Sequence, residues 1–279
     1  MGDVKLFVCC HKEEAVPQHP LLVPMQVGTA LAEREFAGFL HDNTGENISE
    51  KNRSYCELTA QYWAWKNCEA DYYGFFHYRR YLYPNAGAKR PYRIERQPTE
   101  KLLEKFGYGE FEALIRRYDL IVPKGENMYV PVREHYANAP FHHVGDLTLI
   151  ETIIRERYPA YAAAMAQYLS ETVHYFGNIY IMRREVFRNY CGWLFPILEE
   201  FDRRADWKSR SIQERRVDGY LAERLLGIYY TKHCGELHAL ELPRAHFEPG
   251  LGRWIQKRTE FFLFPPGTKV RAVVKLCLR

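Results

Sequence analysis

The residues richest in chemistry stand together as His77-Tyr78-Arg79-Arg80-Tyr81. They follow YYGFF, Tyr72 to Phe76, a run too short and too continuously apolar for a surface helix. It reads as a buried strand that delivers polar groups at its carboxyl end. Ligands of open α/β sheets bind beyond such ends, where loops and helix N-termini converge. Two adjacent arginines there could grip a diphosphate through paired N–H groups and offset charge building on a leaving group. Arginine pairs are also commonly solvated or matched by nearby acids, so the spacing alone leaves both readings open. A second such strand end lies at His11-Lys12, after the apolar run from Lys5 to Cys10.

The elements that must position these groups alternate in type. Lys5 to Cys10 reads as the first strand of a parallel sheet. SYCE, with Ser54 and Glu57 three residues apart, has the form of a capping box and predicts a helix over about 54–68, with Leu58, Tyr62 and Trp65 at helical spacing. A helix is expected over about 99–117, and a short strand from Asp119 to Pro123, stopped by its proline. Asp146 reads as the N-cap of a helix with Leu147, Ile150 and Ile154 on one face. Gly177 to Met182 predicts a strand, and about 184–201 a helix. Ser211 to Glu214 forms a second capping box before a helix marked by Val217, Leu221, Leu225 and Ile228. Strands alternating with helices imply an α/β fold, a mainly parallel sheet flanked by helices.

Composition supports a folded enzyme-sized domain. With 47% hydrophobic and 27% charged residues, the 279-residue chain can bury a full core and is not of disordered composition. Aromatic content of 15% suits a ring-lined groove as well as an ordinary core. A formal charge of +4 gives a mild preference for anionic partners, far short of the basic stripe of a nucleic-acid binder, so no nucleic acid is expected. Seven cysteines without a C-x-x-C pair point to reduced cytosolic thiols, not to a disulfide framework or a zinc site. MGDVKLFVCC lacks the marks of a leader, and no stretch reaches about 18 apolar residues, so neither secretion nor a membrane span is expected.

Nine blocks then occur in order: VCCHK (8–12), PMQVGTAL (24–31), HDNTGENISEKN (41–52), YCELTAQYWAWKN (55–67), DYYGFFHYRRYL (71–82), YDLIVP (118–123), GNIYIM (177–182), CGWLF (191–195) and GYLAERLL (219–226). Together they closely resemble a bacterial capsular and exopolysaccharide glycosyltransferase family, long catalogued only as a domain of unknown function, with galactofuranosyl- and galactosyltransferase members. The resemblance runs from about residue 4 to residue 232, with Ile179 where the family commonly has Met. It implies a GT-A-like, Rossmann-related fold, with a catalytic domain over 1–232 and a C-terminal extension over 233–279. It also implies transfer of galactofuranose or a related hexose from a UDP donor to a lipid-linked or oligosaccharide acceptor in capsule, exopolysaccharide or lipopolysaccharide synthesis. The protein is then expected in the cytoplasm, or peripheral on the inner face of the plasma membrane.

GT-A enzymes usually hold a divalent metal on the donor diphosphate with a D-x-D motif, and none occurs here. The nearest match, Glu69-Ala70-Asp71, precedes its strand, on the wrong side for the site. Arginine is therefore expected in place of a metal, although a single carboxylate could still help hold an ion; no other cofactor is expected. His11, Lys12, His77, Arg79 and Arg80 are the donor candidates at strand ends, joined by Asp42, Asn47, Ser49, Lys51 and Asn52 from a block whose turn formers a plain loop would also explain. By analogy with GT-A enzymes, Gly177 and Asn178 lie beside the acceptor, Asn178 either bonding a sugar hydroxyl or satisfying a turn; Tyr220 joins them.

An inverting transferase needs a carboxylate to take the acceptor proton. Glu223, sharing a helix face with Arg216, Gly219 and Tyr220, is favoured, with Asp218 and Asp146 behind it. Asp218 and Glu223 stand about 140° apart on a helix and cannot both face one small site; Asp218 could simply pair with Arg215. His142-His143 lack a convincing third ligand, so no metal site is expected there. Trp63, Trp65 and Trp193 read as core packing. A noncatalytic carbohydrate-binding or scaffold subunit is the alternative, favoured by the missing D-x-D; a phosphotransferase is poorer, because no G-x-x-x-x-G-K-[ST] loop exists. After Phe261-Phe262-Leu263-Phe264, Val270, Val273, Val274 and Cys277 share one helical face, with Arg271, Lys275 and Arg279 on another. Residues 261–279 could therefore lie on an anionic membrane or dock on the protein's own core.

Overall fold

The computed structural model describes residues 2–207 and 210–277. Its first strand, β1 (Val4–Cys10), sends Phe7 and Cys9 into one apolar layer and Leu6, Val8 and Cys10 into another. Side chains of a strand alternate between faces, so a strand covered on both sides reads as a continuous apolar run. β2 (Leu22–Gln26) pairs with β1 in parallel, and β3 (Leu40–His41) pairs with β2. The short α1 (Asn52–Tyr55) and α2 (Leu58–Asn67) then carry the chain to the other edge of β1. There β4 (Tyr72–His77) pairs in parallel, with Cys9 opposite His77. The direction of strand growth thus reverses at β1, and such a switch point opens a crevice beyond the strand ends.

β5 (Arg80–Leu82) turns back on β4, and β6 (Tyr92–Glu95) follows. The single helix expected over 99–117 is two: α3 (Glu100–Phe106), capped by the Thr99 hydroxyl, ends at Gly107, whose φ of 85° stops it, and α4 (Phe111–Ile115) restarts it. β7 (Leu120–Pro123), the small β8 (Glu126–Asn127), α5 (Val132–Ala137), α6 (Val144–Arg157), α7 (Ala162–Ser170) and β9 (Val173–His174) lead to β10 (Tyr180–Arg183). α8 (Arg184–Arg204) and α9 (Val217–His233) complete the helical layer. β11 (Ala239–Leu242) and β12 (Arg244–Phe247) return to the sheet before α10 (Leu251–Leu263) and α11 (Lys269–Cys277). The sheet order is β11-β7-β10-β4-β1-β2-β3, parallel except for β10, which runs antiparallel between β4 and β7. The mainly parallel α/β sheet read from the sequence is therefore present, with one reversed strand in its middle.

Several boundaries differ from expectation. β11 pairs with β7, and β12 with β5 and β6, so the sheet continues past residue 232, and only α10 and α11 stand outside it. Asp146 does not cap α6, which starts two residues earlier behind His143. Ser54 and Glu57 form no capping box: Ser54 lies inside α1 and donates its hydroxyl to Asp218, while Cys56, at φ 51°, breaks the chain before α2. The second capping box does form, Ser211 N–H donating to Glu214 Oε2 at 2.7 Å. Trp193 is buried among core rings, Trp65 stacks on Phe195, and Trp63 donates to the Thr44 hydroxyl. In α11 the exposed Val270 and Val273 mark the apolar face, whereas the Lys275 and Cys277 side chains and Arg279 lie outside the described residues.

Candidate active site

A cleft opens at the switch point. One chamber, about 260 Å³, is lined by Cys9 and His11 of the β1 end, Val27, Asn52, Arg53 and Gln213. A second, about 360 Å³, is lined by Arg80, His142, Phe176, Tyr220, Glu223 and Arg224. Cys56, Glu57, His77 and Arg216 border both, so the chambers meet at a waist made by these four side chains. Together they are on the scale of a small-ligand cleft, roughly 300–1,000 Å³.

The waist exists because α1 and α9 approach closely. The left-handed Cys56 is fixed by its amide, which donates to Asn52 O at 2.8 Å, and by Asn52 Nδ2, which donates to Cys56 O at 2.7 Å. A side chain at Gly219 of α9 would place its Cβ 3.1 Å from Cys56 Sγ, so glycine permits the contact. A left-handed non-glycine residue costs about 1–3 kcal/mol and persists where surrounding contacts over-determine it.

The electrostatics of the cleft are cationic. Burial, then Arg80, His11, Arg79 and Arg216, hold His77 well below the ordinary histidine range, and burial followed by Arg216 lowers His11. Both imidazoles are therefore neutral near pH 7, and the positive charge rests on guanidinium groups. Burial pushes the Cys56 thiol up to about 12, so it stays protonated beside Arg216. Among the described residues no carboxylate lies within ion-pair distance of Arg80 or Arg216. Unmatched guanidiniums in a cleft suit a polyanionic ligand group, which they can bind through paired hydrogen bonds.

The wall of the second chamber is a clamped segment entering β10. Arg244, buried to 2% exposure, donates to Phe176 O at 2.9 Å; Gly177, at φ 83°, donates its N–H to Glu223 Oε1 at 2.9 Å; and Gln61 donates to Asn178 O. Asn178 is itself buried, its Nδ2 donating to Glu57 Oε1 at 3.0 Å and to Gly219 O at 3.1 Å. Asn178 thus orients Glu57 and is not exposed to a sugar hydroxyl. Glu223 uses its other oxygen on Arg224, at 3.2 Å, so both its oxygens are engaged in holding structure.

Of the residues singled out in the sequence, His11, His77, Arg80, Asn52, Tyr220 and Glu223 line this cleft, with Gly177 and Asn178 behind its wall. Others do not meet there. Tyr78 and Arg79 form the two-residue turn between β4 and β5, and Arg79 lines a separate pocket with Glu14, Tyr78 and Arg96. Asp42 and Ser49 are fully buried: Asp42 accepts from Gly28 N–H, Thr29 N–H and the Ser49 hydroxyl, tying the loop to the segment after β2. Asn47 bonds within that loop, Lys51 pairs with Asp202 at 3.1 Å, and Lys12 pairs with Glu14 at 2.7 Å. Asp146 is tied to Arg210 by two hydrogen bonds, and Asp218 is buried against Ser54, with burial raising its carboxyl well above the usual range. His142 stacks on Tyr220 and His143 pairs with Glu214. Among the described residues no group of three or more His, Cys, Asp or Glu is placed to hold a metal.

Sequence reasoning missed Glu57, Cys56 and Arg216 as the centre of the site. Glu57 was absorbed by the apparent capping box, and Arg216 entered only as a neighbour of Glu223 on its helix face. No local signal in the sequence marks Glu57, because nothing about a cysteine announces the left-handed turn that Cys56 makes in front of it.

No curated protein matches the chain. A solved structure, the WbbM bifunctional glycosyltransferase in its apo form, shares 33% sequence identity and superposes with a TM-score of 0.82, over 88% of this chain and 45% of its own. This chain therefore spans less than half of that protein. Residues 5–234 match the family described as "Domain of unknown function (DUF4422)". With that match covering most of its length and a glycosyltransferase superposing on its α/β sheet, the chain belongs to the DUF4422 family and has a GT-A-like fold.

Proposed function

We propose that this protein is a glycosyltransferase that moves a hexosyl group from a UDP-sugar to a hydroxyl of a glycan or lipid-linked acceptor, with inversion. The observation that carries the reading is one cleft that joins two guanidiniums without carboxylate partners, Arg80 and Arg216, to a carboxylate, Glu57, held by a buried amide. The diphosphate sits against Arg80 and Arg216, with His77 at the waist. The acceptor oxygen forms its bond to the anomeric carbon while the bond from that carbon to the β-phosphate oxygen breaks. The electron pair leaves with UDP, whose developing charge the guanidiniums offset, and the acceptor proton passes to Glu57. Glu223 keeps the Gly177 segment in place. The resemblance of the sequence blocks favours galactofuranose or galactose as the sugar and a capsule, exopolysaccharide or lipopolysaccharide glycan as the acceptor. The six free cysteines among the described residues suit the cytoplasm.

The test is UDP release from UDP-galactofuranose, UDP-galactopyranose and UDP-glucose on a membrane-extract acceptor, with and without EDTA. Turnover should survive EDTA and fall about 10²- to 10³-fold in Arg216→Gln, the usual cost of one lost electrostatic donor. Loss of turnover in EDTA would return a metal to the mechanism. No turnover with any donor would favour a noncatalytic glycan-binding role.

A further inference from the structure

Half of the exposed large apolar side chains among the described residues fall in the two C-terminal helices: Leu251 at 54%, Ile255 at 51%, Phe262 at 61% and Leu263 at 63% in α10, and Val270 at 57% and Val273 at 58% in α11. α10 is anchored by one ring, Phe261, which is buried against Tyr92 of β6. At about 100° per residue, Leu251, Ile255, Arg258 and Phe262 fall within about 60° of arc on its outer side. The stripe is therefore apolar with a cation set into it.

That cation belongs to a pocket of about 370 Å³ lined by Lys89, Arg90, Arg93 and Arg258 among the rings of Tyr92 and Phe262. Arg93 pairs with Glu95 at 2.5 Å. Among the described residues no carboxylate lies within ion-pair distance of Lys89, Arg90 or Arg258. The Arg90 guanidinium instead lies 4.7 Å from the Phe261 ring centre, and that of Arg258 5.0 Å from the Trp254 ring centre. Exposed Phe, Leu and Ile beside Trp and uncompensated Arg and Lys are the side chains with which an interfacial helix and its flanks meet the acyl boundary and the headgroup phosphates. No helix among the described residues is long and apolar enough to cross a membrane, so this face would lie on the bilayer.

We infer that α10, with the start of α11, docks on an anionic membrane surface, a lipid phosphate seating among Lys89, Arg90 and Arg258 while Ile255, Phe262 and Leu263 enter the lipid. This surface shares no lining residue with the cleft, so it stands or falls apart from the transfer reaction. Co-sedimentation of the full chain with vesicles of phosphatidylcholine, or of phosphatidylcholine with phosphatidylglycerol, tests it. Binding should require phosphatidylglycerol and weaken at high salt. The double variant Arg90→Gln, Arg258→Gln should lower partitioning about 30-fold, at about fivefold per cation near an anionic surface. Phe262→Ser should lower it by about tenfold. Both variants should keep the wild-type thermal midpoint and the wild-type UDP affinity in titration calorimetry. Equal binding to both vesicles, or variants that bind like wild type, would overturn the inference. So would stabilisation by inorganic phosphate without vesicle binding, which would assign the pocket to a free phosphate.

Discussion

Glu57→Gln separates a proton acceptor from a structural carboxylate. Glutamine keeps the size of the side chain and an oxygen to accept from Asn178 Nδ2, so the 3.0 Å contact survives in neutral form. Exchanging a charge-assisted hydrogen bond for a neutral one costs about 1 kcal/mol, which leaves the fold intact. The amide cannot take the acceptor proton, and general-base catalysis supplies about 10²- to 10⁴-fold, or roughly 2.7–5.4 kcal/mol of barrier. The expected result is a kcat lower by that factor, with the UDP dissociation constant changed less than about threefold, because the guanidiniums at the diphosphate are untouched. Steady-state kinetics with UDP titration calorimetry reads both. The opposite pattern is expected for Glu223→Gln: the Gly177 amide keeps an acceptor while buried Arg224 loses its anion, so stability falls more than kcat. A kcat unchanged in Glu57→Gln, or lost in proportion to UDP affinity, would refute the assignment.

Burial holds His77 and His246 well below the ordinary histidine value, so neither binds a proton near neutrality in the folded chain. Above about pH 6.5 folded and unfolded states are both neutral at these positions; as pH falls below that, the unfolded chain takes up protons first and stability drops. Urea unfolding at pH 6.5 and 5.5 should show a loss of about 2 kcal/mol from the two groups, about half of it relieved in His246→Gln; a flat profile would refute the assignment. Packing gives a sharper test at Gly227 of α9, where a Cβ would lie 2.1 Å from Cζ of the buried Tyr168 ring. Gly227→Ala should cost about 1–3 kcal/mol and lower the thermal midpoint by on the order of 5 °C in differential scanning calorimetry.

What was legible in the sequence was what local chemistry decides. β1, β4, β7 and β10 announced themselves as apolar runs because both faces of the sheet are covered, and the polar ends of β1 and β4 marked the crevice. The block at 42–52 misled because the same Asp, Asn and Ser that could bind a ligand satisfy backbone and side-chain donors of the protein, Asp42 taking one donor from Ser49 within the block and two from the Gly28-Thr29 backbone after β2. Ser54 misled for a tertiary reason: its hydroxyl partner is Asp218, 164 residues away, and no local pattern weighs that bond against a cap. The divergence of Arg79 from Arg80 follows from the tight turn between β4 and β5, and the meeting of Glu57 and Arg216 at the waist from the close approach of α1 and α9.

The return of the chain to the sheet after α9 has a practical consequence. Cutting at residue 234, where the family match ends, would remove β11 and leave the β7 backbone from Leu120 to Pro123 as an open, wholly apolar edge. Such an edge is a template for pairing between molecules, and aggregation is its ordinary outcome. The same cut would delete Arg244 and release Phe176 O, loosening the wall that sets Glu57 through Asn178. A fragment that keeps β12 through Phe247 retains both the sealed edge and the clamp, and is the shortest piece of this chain from which soluble material should be sought.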